Sequence, residues 1–243
     1  EERVLHRKSG KWKQRFLEFF YQADKEKDQL RLIKWAIAAE AKSTLAQFSE
    51  SEIPVELRAG WIRHQFHHLA NLSQAETVSW LSRLVDASQG TENFTVDLLE
   101  LCGTDAKACQ VWLPQLERRV EWWNQRKFAS ATENQAALVE EFSNQNQIYK
   151  TIGNVSAAKK AAELCVVQAD AQAKASPLEV PRAAGIGQTY CLEGVGRFAD
   201  AEKLFQVLVQ TYSSEPTFLL RYANFLINQK AREKDALAWV DQA

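Results

Sequence analysis

Two stretches of this 243-residue chain lie on one another without a gap, "YKTIGNVSAAKKAAELCVV" from residue 149 and "LEGVGRFADAEKLFQVLVQ" from residue 192. Tyr149 falls on Leu192, Ile152 on Val195, Gly153 on Gly196, Val155 on Phe198, Ala158 on Ala201 and Leu164 on Val207, a displacement of 43 residues. A third copy, "INQKAREKDALAWVDQA", keeps an apolar residue nine before Ala236 and another, Val240, four after it, 35 residues beyond Ala201. The opening "KSGKWKQRFLEFFYQA" fits the same turn and following helix, with Gly10 for the glycine, Trp12 for the aromatic and Phe19 four after Arg15. Self-similarity at this period is the mark of a chain built from one supersecondary unit used repeatedly.

The unit itself is helical. Apolar residues recur at three- and four-residue intervals nearly throughout, the period of helices packed on one face. Nine Gly and five Pro are too few for the turns of a β-sandwich, and helix formers fill the rest. Helices are expected over 133–152, 155–174, 179–193, 198–212, 216–229 and 232–243, with "ASPLEVP" as a Pro-bearing connection. Earlier in the chain they are expected over "GKWKQRFLEFFYQA", "KDQLRLIKWAIAAEAKSTLAQF", "VELRAGWIRHQFHHLANL" and "AETVSWLSRLVDAS". Ser73, three before Glu76, predicts a capping box at the start of the last of these. A short apolar helix around Val96 to Leu101 should end at "CGTD", and a long helix is expected from about Ala106 through the aromatic cluster Trp112, Trp122 and Trp123, kinked or begun by Pro114. The reading is all-α, with antiparallel helix hairpins, divergent over 1–130 and regular over 131–243. Both ends fall inside a repeat, and the chain opens Glu-Glu and holds no Met, so it is expected to be a piece of a longer protein.

Each repeated residue type has a physical reason. Gly153 and Gly196 supply the backbone freedom that a tight turn between helices demands. Ala158, Ala201 and Ala236 let paired helices approach, and a large residue one turn on, Phe205 or Val240, fills the gap to the next pair. With Pro216 closing the unit, Ala201-x3-Phe205 resembles the tetratricopeptide repeat, and the resemblance runs over 135–243 and again over 1–45. The first-helix Trp and Leu-Gly of that pattern do not appear before Gly196. The resemblance implies a right-handed superhelix of helix pairs whose first helices line a groove that receives a peptide, a helix or a neighbouring domain. Asn144, Asn146, Gln188, Arg221 and Asn224 belong to expected first helices and are its candidate groove residues.

A second candidate surface is "LERRVEWWNQRK". Trp122 and Trp123 are adjacent, so on a helix they point about 100° apart and one of them is free to line a surface. With Arg118, Arg119, Arg126 and Lys127 they offer the residue types that dominate binding hot spots, against a simpler reading as a solvated basic helix face.

Other motifs carry less. His64 and His68 in "HQFHH" lie four apart, a spacing that bites a transition metal, with Glu56 as a conceivable carboxylate. Gln65 stands where a zinc protease would need glutamate, so a half-buried histidine face is preferred and no metal or other cofactor is expected. Gly185, Gly187 and Gly194 follow no strand and precede no Gly-Lys-Ser/Thr, which favours helix packing over phosphate binding. Asn71, Asn93 and Asn154 each open a glycosylation triplet, a pattern short enough to arise by chance. Cys102, Cys109, Cys165 and Cys191 form no Cys-x-x-Cys pair and read as free buried thiols, favouring a reducing compartment such as the cytoplasm, although a Cys102–Cys109 disulfide is sterically allowed.

With 30 basic and 31 acidic residues the chain has a net charge of −1 and no footprint for nucleic acid, and no run approaches the roughly 18 apolar residues of a membrane span. The expected role is a non-catalytic scaffold for a protein or peptide, with self-association through terminal helices as a further expectation. The rival is a regulatory or substrate-presenting helical part of a larger enzyme whose catalytic domain lies elsewhere.

Overall fold

The computed structural model describes Ile33 and residues 48–67, 69–128, 130–175, 182–230 and 232–242. The expected hairpin around Gly10, Trp12 and Phe19 lies outside these, as does His68. The described residues are all-helical, with no strand among them. We number their α-helices α1 (Val55–His67), α2 (Gln74–Ser88), α3 (Phe94–Thr104), α4 (Leu113–Gln125), α5 (Ala131–Thr151), α6 (Val155–Ala175), α7 (Arg182–Gly194), α8 (Phe198–Thr211), α9 (Pro216–Lys230) and α10 (Glu233–Val240). Short 3-10 turns precede α1, at Glu50–Glu52, and α4, at Ala108–Trp112. The chain divides into two compact units, Glu1–Asp97 and Leu98–Ala243.

In the first unit α1 and α2 pack together over Phe48, Ile53, Trp61, Ile62 and Leu84, with Ile33 buried among them. The capping box is formed as read: Ser73 Oγ accepts from the Glu76 N–H, and the Ser73 N–H donates to the Glu76 carboxylate at 2.8 Å. Those bonds hold the Glu76 carboxyl below its ordinary value. Arg63 donates to both oxygens of Asp97 at 2.7 Å, and burial nevertheless pushes the Asp97 carboxyl up. Helix α1 stops at His67, short of "HLANL", and Asn71 takes a positive φ of 59° in the turn to α2.

In the second unit the long helix begins at Leu113 and not near Ala106, because Ala108–Trp112 forms a separate 3-10 turn and Pro114, in the first turn of α4, begins that helix. The break expected at "CGTD" comes later, because α3 runs through Gly103 to Thr104. Asp105 then ends it, its carboxylate accepting from the N–H groups of Lys107 and Ala108 at 2.8 and 3.1 Å.

From α5 onward the elements come as hairpins. Helix α5 packs on α6, α7 on both, α8 on α7 and α9, and α9 on α10. The turns after α5 and α7 are the same turn. Gly153 and Gly196 take φ of 79° and 78°; the Asn154 N–H reaches the Tyr149 carbonyl and the Arg197 N–H the Leu192 carbonyl, each at 2.8 Å. Ala158, Ala201 and Ala236 are all buried where the second helix of each pair begins. Phe205 is buried and stacks on Tyr222, whereas Val240 stays 44% exposed.

The four cysteines are not free thiols. Cys102 pairs with Cys109 and Cys165 with Cys191, the Cα atoms 5.0 and 6.0 Å apart. The first pair forms because the Asp105 turn folds the chain straight back on α3. The second forms because α6 and α7 pack with these two residues facing, so that it links one hairpin to the next. With no free cysteine, the thiols give no support to a reducing compartment.

Candidate functional site

The basic aromatic segment on α4 is built into the fold. Trp123 Nε1 donates to Glu141 Oε2 on α5 at 2.8 Å, Gln145 Nε2 donates to Glu141 Oε1 at 2.9 Å, and Arg119 Nε lies 3.5 Å from Oε2. Arg119 and Glu141 are almost wholly buried, and that burial draws the guanidinium pKa down. The Arg119 guanidinium also lies 4.2 Å from the Trp122 ring centroid, Arg126 lies 4.8 Å from it, and Trp122 meets Trp123 edge to face. Of the residues singled out here, Arg119 and Trp123 are thus core, Trp122 is half-buried, and Arg118, Arg126 and Lys127 reach the surface.

The five groove candidates also separate. Asn146 is fully buried and donates from Nδ2 to the Ala158 carbonyl at 2.7 Å, tying α5 to the start of α6. Arg221 on α9 pairs with Glu193 on α7 and lies 4.0 Å from the Tyr190 ring centroid. Burial raises the Glu193 carboxyl, against the opposing pull of Arg221 and Lys150. Asn144 and Gln188 are half-buried and Asn224 is exposed, bonded to Asn228.

His64 is buried in α1, and among the described residues no three His, Cys, Asp or Glu side chains gather as a metal site requires. Gly187 and Gly194 are packing residues of α7. A side chain at Gly187 would meet Ser143, and one at Gly194 would meet Ala162 and Asn146.

What the second unit does offer is a cleft of 380 Å³ that no sequence pattern announced. Helix α5 is its floor, through Phe142, Gln145 and Tyr149; α4 forms one wall and α6 the other, with Leu116 and Val120 facing Ala161 and Leu164. Glu117 stands on the α4 wall and Lys160 on the α6 wall, both exposed to solvent. Burial and the nearby Glu117 carboxylate raise the Tyr149 hydroxyl above its ordinary pKa. The small side chains of Ala157 and Ala161 on the α6 wall leave room for the cleft. Its volume is that of a site for one or two large side chains or a small ligand.

One further regularity escaped the sequence reading. Arg197 and Arg232 each cap a second helix, pair with an aspartate three residues on (Asp200, Asp235), and reach a carboxylate of the preceding second helix (Asp170, Glu202). The signal was present as Arg-x-x-Asp-Ala in both copies, at the same displacement as the alanines.

No protein-family model matches this chain, and comparison with the curated proteins finds no relative. No described helix is long and apolar enough to cross a membrane.

Proposed function

We propose that this chain is a tetratricopeptide-like α-solenoid that acts as a non-catalytic scaffold and captures a protein segment on its helical surface. The observation that carries the reading is the cleft over α5: apolar walls, a floor that adds the polar groups of Gln145 and Tyr149 to Phe142, and a rim of one acidic and one basic side chain, suited to anchoring a partner's side chains. The solenoid reading is supported by the two superposable glycine turns, by the buried alanine opening each second helix, and by the Arg197–Asp170 and Arg232–Glu202 pairs that tie successive second helices. Two buried disulfides support an oxidising compartment as its place of work, since such bonds persist there and are rare where glutathione keeps thiols reduced.

The test is to pan a displayed random-peptide library against the folded, disulfide-intact protein and to titrate the enriched peptides by calorimetry. Saturable one-to-one binding that weakens in the Leu164→Asp protein, with circular dichroism unchanged, is the expected result. A library that yields no saturable binder would overturn the scaffold reading.

A further inference from the structure

We infer that the cleft between α4 and α6 takes an amphipathic α-helix of a partner protein, laid along α5 with basic residues on its α4 side and an acidic residue on its α6 side. The inference rests on the scaffold reading above and adds which partner chemistry the site accepts, and in which direction.

The architecture defines the shape. Helices α4 and α6 both pack on α5 but hardly touch each other, so the cleft is a slot with a helical floor and two helical walls. The apolar surface does not stop at the slot. Leu164 is 39% exposed, and Val167, three residues further along α6, is 61% exposed. From Ala157 to Val167 this stripe runs about 15 Å at 1.5 Å per residue, or roughly three helical turns.

Backbone chemistry selects the occupant. An extended segment exposes an N–H and a C=O at every residue, and the slot meets them with side-chain polar groups only at Glu117, Gln145, Tyr149 and Lys160; groups set against Leu116, Val120, Phe142 and Leu164 would go unmet, each at a cost in free energy. A helix satisfies those groups internally and presents only side chains. One or two apolar residues at three- or four-residue spacing would enter the slot, with a further one lying on the exposed stripe at Val167, as helices do in apolar grooves.

Charge fixes the orientation. The α4 rim carries Glu117 and, one turn on, Glu121, both exposed. Across the slot Lys160 stands on the α6 rim, while its neighbour Lys159 is turned to Glu163 at 4.0 Å. The two edges are of opposite sign, and a helix with the reverse pattern meets like charge on both sides.

The experiment pans the same peptide library separately against the parent and against the charge-swapped Glu117→Lys/Lys160→Glu protein. The parent is expected to enrich peptides with apolar residues at helical spacing and opposite charges on the two flanks. The swapped protein should enrich the mirrored charges, and parent-selected peptides should lose about tenfold in affinity for it. Enriched peptides that lack the helical period, or that bind parent, swapped and Leu164→Asp proteins alike, overturn the cleft assignment while leaving a peptide-binding scaffold in place. Concentration-dependent dimerisation of the parent in sedimentation, abolished by Leu164→Asp, would overturn it in favour of a second copy of this chain.

Discussion

The Cβ that Gly194 lacks would stand 2.8 Å from the Cβ of Ala162, and 3.2 Å from Asn146 Nδ2. Helix α7 can therefore approach α5 and α6 only with hydrogen at this position, and Asn146 uses the same contact to bond the Ala158 carbonyl. Gly194→Ala is expected to cost about 1–3 kcal/mol, the range for overpacking a well-filled interior. Gly103, also helical but with nothing within 4 Å of its absent Cβ, is the control. Gly103→Ala should raise stability by about 0.5–1 kcal/mol through helix propensity alone. Urea titrations of the two variants beside the parent measure both.

Gly153 and Gly196 make a different demand. Neither has a neighbour within 4 Å of its absent Cβ, so the whole penalty of a side chain is its positive φ. Replacing either by Ala should cost about 1–2 kcal/mol, and the two costs should agree closely because the turns share one hydrogen-bond pattern. Denaturant midpoints that differ by more than the expected cost itself would mean the two hairpins are not equivalent.

The disulfides differ in the loop they close. Cys165 and Cys191 are 26 residues apart, Cys102 and Cys109 only 7. On the loop-entropy scale the first stabilises by about 3–4 kcal/mol and the second by about 2. Cys165→Ala/Cys191→Ala should therefore lower stability more than Cys102→Ala/Cys109→Ala. Alkylation and mass analysis of the unfolded, unreduced parent should find no reactive thiol.

Glu193 gives the fold a pH dependence of definite sign. Burial raises its folded pKa above the ordinary 4.5, so between that value and the raised one the folded chain holds more protons than the unfolded chain. Its contribution to stability is then greatest below pH 4.5 and declines as pH rises through the folded pKa. The stability of the parent relative to Glu193→Gln should be smaller at neutral pH than at pH 4. Paired thermal melts across that range would show the trend, and a gap that widens with pH would contradict it.

Much of the helical layout was legible in the sequence. The 3.6 period, the Ser73–Glu76 box, Pro114 and the two turn glycines each act through local backbone chemistry, and the helices end within a few residues of where that chemistry places them. Side-chain destinations were not legible in the same way. Adjacent tryptophans leave open which one faces inward, and only the Glu141 carboxylate arriving from α5 shows that Trp123 and Arg119 are core. The Cys165–Cys191 pair depends on how two helices face each other, which no spacing encodes. The cleft arises from an interplay of Ala157 and Ala161 with residues some forty positions earlier on α4, and small residues by themselves read only as good helix formers.

The most direct measurement is an amide and methyl NMR titration of the intact protein with a peptide selected against it. The largest shift changes are expected on Val120, Tyr149, Ala161 and Leu164, the residues around the slot between α4 and α6. Changes concentrated instead on Gln188, Arg221 and Asn224, along α7 and α9, would contradict that placement and return the binding surface to the groove first read from the repeat.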